Sequence, residues 1–312
     1  MKTTTAIVIP CYKVKDHIRS VVTSIPEFID HIIVVDDCCP ENSLEQISDL
    51  AQTNSKITTI SHQKNGGVGA AMATGYKKAL EQGATITIKM DGDGQMAPCY
   101  LPRIIELMEN KKCDYVKGNR FSSKRILSEM PLARLIGNSG LSFLVKFASG
   151  YWNVMDPTNG YTAIHIRALK DLNLNKLSSD YFFEIDMLCQ LNYQTAKVRD
   201  FSMDAKYEHQ NSSLNVFHSL NLFTLKLLHR FVKRLFLQYF ILEFNMATVY
   251  MLLGIPLLVF GTIFGGVLWA ESIRNSSAQP LGTIMLSVLP VLISLNMLTH
   301  AIHIDISRNY DN

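Results

Sequence analysis

Asp91 and Asp93 stand one residue apart in the run Lys89-Met90-Asp91-Gly92-Asp93-Gly94-Gln95, directly after an apolar, β-branched stretch. Two carboxylates on a glycine-loosened turn can converge on a hard divalent cation that bridges phosphate oxygens. Acidic turns are common, so the pair alone says little, and its position after a strand is what singles it out. Two more strand ends carry groups suited to a nucleoside, Ile7-Val8-Ile9-Pro10-Cys11-Tyr12 and Ile32-Ile33-Val34-Val35-Asp36-Asp37. A tyrosine ring can stack on a base, and a carboxylate can accept hydrogen bonds from base N–H groups or ribose hydroxyls. The run Asn65-Gly66-Gly67-Val68-Gly69 opens a helical stretch, and its bare backbone N–H groups are expected to face an anion. It has neither the lysine-serine pair of a Walker loop nor dinucleotide-binding spacing. Cys11, Cys38, Cys39, Cys99, Cys113 and Cys189 form no C-x-x-C pair and no zinc-like pattern with histidine, so reduced thiols are expected.

Chemistry scattered over so much chain needs a scaffold that delivers it to one edge. Apolar runs at 5–9, 31–35, 56–61, 85–90, 114–118, 162–166 and 197–203 alternate with helical spacing at 15–25, 43–53, 69–82, 98–110, 131–149 and 181–191. That alternation predicts an α/β domain over 1–213, Rossmann-like, with a mostly parallel sheet flanked by helices. Ligands are then expected at the carboxyl edge of the sheet.

Beyond this domain the chain changes character. Residues 214–244 read as one amphipathic helix, apolar at Phe217, Leu220, Leu227, Leu228, Phe231 and Leu235 and basic at Lys226, Arg230, Lys233 and Arg234. Such a helix suits a membrane interface. The segments 246–270 and 281–299 carry no charged residue, and their lengths are near the roughly 20 residues that cross a bilayer. A two-helix transmembrane anchor over 245–312 is therefore expected. The basic residues before the first span place the N-terminal domain and the short tail in the cytoplasm, at an inner (cytoplasmic) membrane. No secretory signal pattern opens the chain, in keeping with that orientation.

Composition agrees with a split molecule. Its 312 residues are 47% hydrophobic and 18% charged. Thirty basic against 27 acidic residues, a net +3, is too balanced to grip a nucleic-acid backbone, so no nucleic-acid partner is expected.

The ordered set Pro10-Cys11-Tyr12, Val35-Asp36-Asp37, Lys64-Asn65-Gly66-Gly67, Asp91-Gly92-Asp93-Gly94-Gln95, Gly118-Asn119-Arg120-Phe121 and Asp156-Pro157-Thr158-Asn159-Gly160-Tyr161 resembles the family-two inverting glycosyltransferases with a GT-A fold. Within them it is most similar to the polyprenyl-phosphate branch, typified by dolichol-phosphate mannosyltransferase and the bactoprenol glucosyltransferases. The resemblance implies a UDP- or GDP-hexose donor, a lipid phosphate acceptor such as undecaprenyl phosphate, and a magnesium or manganese ion. It places Pro10, Tyr12, Asp37 and Lys64 in the nucleotide pocket and gives Asp91, Asp93 and Gln95 the ion, with Asp91 also facing the donor. Arg120 and Arg134 would grip the acceptor phosphate. Asp156 would act beside the reacting centre, as general base or as orienter, so that Asp156, Asp93 and Arg120 form the catalytic set.

Glu184 matches a further acidic position of the family. The segment 207–213, with His209 and Ser213, resembles its loop before the juxtamembrane helix, which could close over the donor. A homo-oligomer is also open. Lys13 and Val14 stand where the family has asparagine and an acid, and Cys38 and Cys39 where it has Gly-Ser, so the base is not inherited from relatives. Two other functions stay open at this point: a transferase that extends a lipid-diphosphate-linked sugar, and a non-catalytic scaffold that binds nucleotide-sugars. Two spans and the lack of a Q-x-x-R-W run speak against a processive polysaccharide synthase.

Overall fold

The computed structural model describes residues 3–110, 113–122, 132–203 and 216–311. They fall into two compact units, Met1–Phe231 and Val232–Asn312. The first holds a seven-stranded sheet. Its strands are β1 (Thr5–Cys11), β2 (His31–Asp36), β3 (Ile57–Ser61), β4 (Ile86–Lys89), β5 (Tyr115–Asn119), β6 (Thr162–His165) and β7 (Val198–Ser202), in the spatial order β3-β2-β1-β4-β6-β5-β7. Every pair is parallel except those of β6, which runs antiparallel to both β4 and β5. β1 and β2 are buried almost throughout, because helices cover both faces, and their unbroken apolar runs follow from that. Pro10 lies beyond the last β1–β4 pair, Val8 with Lys89, so its missing N–H breaks no bond in that ladder.

The helices of this unit are α1 (Lys15–Ser24), α2 (Ser48–Thr53), α3 (Val68–Glu81), α4 (Leu101–Asn110), α5 (Leu132–Ser149), α6 (Ile166–Asp171) and α7 (Phe183–Tyr193). α1 buries Ile18, Val21 and Val22 and α4 buries Leu101, Ile104 and Met108, the i, i+3, i+4 and i+7 spacings of an apolar helix stripe. Two cores result, one on each face of the sheet. The helix expected over 43–53 is split into a 3₁₀ turn, Ser43–Ile47, and α2. Likewise the first turn of the helix expected from 98 is 3₁₀, Pro98–Tyr100, with Pro98 at its start.

α8 (Val216–Phe236) crosses the boundary between the units. The amphipathic helix expected to run to 244 instead ends in a π-helical turn, Leu237–Leu242. α9 (Met246–Asn275) and α10 (Leu281–Asp311) follow, both long and apolar enough to cross a membrane. Leu252, Leu253, Ile255, Val259, Phe260, Ile263, Val267 and Trp269 of α9 all face outward, as on a helix surrounded by lipid. The two helices approach closely at glycines: a Cβ on Gly261 would lie 2.9 Å from the Ser287 carbonyl oxygen.

A buried polar cluster closes the base of this hairpin. The Arg234 guanidinium, 1% exposed, pairs with both oxygens of Asp305 at 2.7 and 3.1 Å. The Tyr239 hydroxyl donates to the same carboxylate at 2.6 Å, and Arg308 pairs with Glu243 at 2.7 Å.

Candidate functional site

The reversed strand assembles the site. β4 and β5 point the same way, so the segments leaving them, Met90–Asp93 and Arg120–Phe121, emerge at one edge of the sheet. β6 lies antiparallel between them, so the segment entering it, 156–161, arrives at that same edge. A cavity of about 720 Å³ opens there, lined among others by Pro10, Tyr12, Asp37, Asp91, Asp93, Arg120, Phe121 and Glu184. That volume suits a ligand of nucleotide-sugar size.

On one side Tyr12 presents an exposed ring, and Pro10 lines the cavity beside it. The loop chemistry here differs from the expectation of an anion held by bare N–H groups. The anion is a carboxylate of the protein: Asp37 Oδ1 accepts from Gly66 N at 2.9 Å and Oδ2 from Gly67 N at 2.6 Å. Gly69 N donates to the Ser179 carbonyl at 2.8 Å. The glycines are required by close approach, since a Cβ on Gly67 or Gly69 would lie 2.4 or 2.0 Å from the Ser179 or Ser178 oxygen. His62 completes the network, with Nδ1 2.8 Å from Asp37 Oδ1 and Nε2 2.9 Å from the Thr74 hydroxyl. Lys64 is exposed on the loop and is not among the residues that line the cavity.

In the middle of the cavity Lys89, 1% exposed, carries an ammonium 2.6 Å from Asp91 Oδ1, 2.9 Å from Glu184 Oε1 and 3.3 Å from the Gly160 carbonyl oxygen. Burial works against its charge, but the two carboxylates prevail and its pKa is raised. Asp93 has a raised pKa, through burial first and then repulsion from Asp91, while its Oδ1 accepts from Gln95 N at 3.0 Å. Two neighbouring hard oxygen donors whose ionised forms repel each other fit a divalent cation. Among the described residues no three His, Cys, Asp or Glu side chains converge, so such a cation would take its remaining oxygens from phosphate and water. Gln95 is exposed and contributes its backbone N–H here rather than a side chain to the cavity.

At the far end Arg120 holds Asp156 in a two-pronged pair, Nε to Oδ2 at 2.7 Å and Nη2 to Oδ1 at 3.0 Å. Asn159 Nδ2 and the Thr158 hydroxyl add longer bonds, and Asp156 is wholly buried behind its arginine. Lys117 is sealed beneath, donating to the Asn159 carbonyl at 2.5 Å, and burial pushes its pKa down to about 8. Phe121, Leu141 and Phe223 add apolar side chains to the cavity lining. Arg134 lies on α5, with its side chain outside the described residues, and His209 and Ser213 fall outside them altogether.

Lys89, His62 and Lys117 went unread in the sequence. The available signal was a lysine inside a buried strand, at Lys89 and Lys117, which demands a polar partner.

Known proteins resemble this chain both in sequence and in fold. The sequence profile of "Glycosyl transferase family 2" matches residues 6–172. UDP-N-acetylglucosamine–dolichyl-phosphate N-acetylglucosaminyltransferase of Methanococcus voltae is 35% identical over 180 residues, 54% of this chain and 71% of that protein. Polyprenol monophosphomannose synthase of Mycolicibacterium smegmatis is 27% identical over 187 residues, 59% of this chain and 70% of that one. Among solved structures, glucosyl-3-phosphoglycerate synthase of Mycobacterium tuberculosis with Mn2+, uridine diphosphate and glucosyl-3-phosphoglycerate superposes with a TM-score of 0.52 at 17% identity, covering 74% of this chain and 80% of that chain.

Proposed function

Because the chain belongs to glycosyl transferase family 2 and carries the GT-A fold, we propose that it moves a single hexose from a UDP- or GDP-sugar to a polyprenyl phosphate such as undecaprenyl phosphate. Transfer takes place at the cytoplasmic face of the membrane, with inversion, and serves cell-envelope or surface-polysaccharide assembly. The observation that carries this reading is that one cavity is lined by Tyr12, Asp37, Asp91, Asp93 and Arg120 together with the apolar Phe121, Leu141 and Phe223. Relatives named for transfer to dolichyl phosphate and for synthesis of polyprenol monophosphomannose support the acceptor class. Two helices able to span a membrane support a lipid substrate.

In this mechanism an acceptor phosphate oxygen forms a bond to the anomeric carbon as the bond to the nucleoside diphosphate breaks, and the electron pair leaves with the diphosphate. Arg120 steers the incoming phosphate, and Asp156 holds the guanidinium in its plane. A phosphate monoester is already ionised at neutral pH, so no general base is needed. Asp156 is accordingly an orienter. When bound at Asp91 and Asp93, a magnesium or manganese ion supplies charge stabilisation for the departing diphosphate. Pro10 and Tyr12 seat the base, and Asp37 shapes the pocket through the glycine loop. Positioning and electrostatics then account for the catalysis.

The test is transfer of radiolabelled sugar from a panel of UDP- and GDP-sugars into organic-extractable undecaprenyl phosphate, with manganese or magnesium and an Asp93→Ala control. Metal-dependent extractable product that vanishes in the control is the expected result. Label passing only to a lipid-diphosphate sugar, or nucleotide binding without transfer, overturns it in favour of an extending transferase or a scaffold.

A further inference from the structure

The sequence places the basic residues of α8 at a membrane interface, yet Arg230 turns inward, its side chain 16% exposed. Its Nε lies 2.8 Å from Oδ1 of Asp186, and its Nη2 donates to Oδ2 at 3.0 Å. Asp186, on α7, is wholly buried, and Oδ2 accepts a further bond from Ser178 N at 2.8 Å. One carboxylate thus joins α8 to the backbone of the segment 178–180. Lys226, one turn earlier on α8, pairs with the other end of that segment, at Asp180 Oδ2, over 2.7 Å.

The segment in turn bears on the cavity. The Ser179 carbonyl accepts from Gly69 N at 2.8 Å, and a Cβ on Gly67 would overlap that same oxygen, so the segment is packed against the glycine loop whose N–H groups hold Asp37. Asp180 and Tyr181 line the cavity, whereas Arg230, Asp186 and Ser178 are not among its lining residues. A pair that merely fastened α8 would be redundant, since Phe223 and Leu227 already bury that helix in the core. A buried ion pair adds little stability over apolar side chains of the same volume, and what it can add is one fixed arrangement. Here the arrangement is that of the segment 178–180 against the glycine loop.

We propose that Arg230 is a positioning residue of the donor site: acting through Asp186, it fixes the segment 178–180 against the glycine loop and so sets nucleotide affinity from outside the cavity. The assignment rests on the nucleotide-sugar reading of the cavity. The test is calorimetry of UDP and GDP on the full chain in detergent with Mn2+, beside thermal midpoints, for wild type, Arg230→Lys, Arg230→Met and the double variant Arg230→Met with Asp186→Leu.

Arg230→Met should raise the dissociation constant of the preferred nucleotide about 3- to 30-fold, the range of coupling carried by residues that touch no ligand. Arg230→Lys keeps the charge without the two-pronged bond and should recover part of the affinity. The double variant removes both buried charges and should regain most of the thermal midpoint. Its nucleotide should stay weakly bound, because Ser178 N has lost its acceptor. Affinity that returns together with the midpoint overturns the assignment and makes the pair a support of the fold alone. A wild-type dissociation constant in Arg230→Met overturns it equally, and where that variant does not fold the double variant decides. If the wild type binds neither nucleotide, the reading of the cavity fails instead.

Discussion

An aspartate held by both prongs of one arginine has little left with which to take a proton, and this decides how Asp156 responds to substitution. Asp156→Asn keeps the shape but removes the countercharge, so acceptor KM should rise and overall efficiency fall about 10- to 100-fold, the worth of charge-assisted bonds. Steady-state kinetics on the lipid phosphate reads this directly, and outright abolition would point to a general base and a hydroxyl acceptor. Asp200 gives a pH prediction. Burial raises its pKa from 3.8 to about 6, and its Oδ2 accepts only from Met155 N at 2.8 Å among the described residues. An acid that holds its proton more tightly when folded costs stability as pH climbs from about 4 to 6, and the cost persists above that. Asp200→Asn should therefore flatten this decline and raise stability at neutral pH by up to about 3 kcal/mol, seen as thermal midpoints across that range. Pro10, Tyr12, Asp37, Asp91, Asp93 and Arg120, which the sequence singles out by type and order, all line one cavity. Lys89 and His62 were not legible in the sequence, since their meaning lies in partners distant along the chain, Glu184 for one and Asp37 for the other.

Strands and helices obey local patterning, and here the sequence was readable nearly throughout: all seven strands lie where apolar runs predicted them. The antiparallel course of β6 was hidden, because strand direction depends on which neighbours it joins and not on its own side chains. The glycine loop was misread for a related reason. Its sequence announces close approach but not to what, and the partners are the Asp37 carboxylate and the backbone around Ser178 and Ser179. Gly69→Ala should thus separate the start of α3 from that segment, costing about 1–3 kcal/mol as overpacking does and weakening nucleotide binding with it. Chemical denaturation and UDP calorimetry on the same variant would show both losses, and a variant as stable as wild type would contradict this packing role.

Taken whole, the chain is a sheet domain followed by a unit whose helices turn their apolar sides outward. The polar clamp inside the second unit was not visible in the sequence, for Arg234 read as one more interfacial cation. Asp305→Ala should cost about 3–5 kcal/mol by leaving that arginine buried without its carboxylate, and the paired change Arg234→Met with Asp305→Leu should recover most of it. Thermal unfolding in detergent distinguishes the two, and equal damage from the double change would refute the pairing. Time of synthesis adds a last consequence. Arg234 leaves the ribosome 71 residues ahead of Asp305, so the clamp cannot close until the second apolar helix is almost fully made. Nascent chains stalled before residue 305 lack the carboxylate and should be handed to quality-control proteases, and protection should appear only once Asp305 itself has cleared the ribosome exit tunnel.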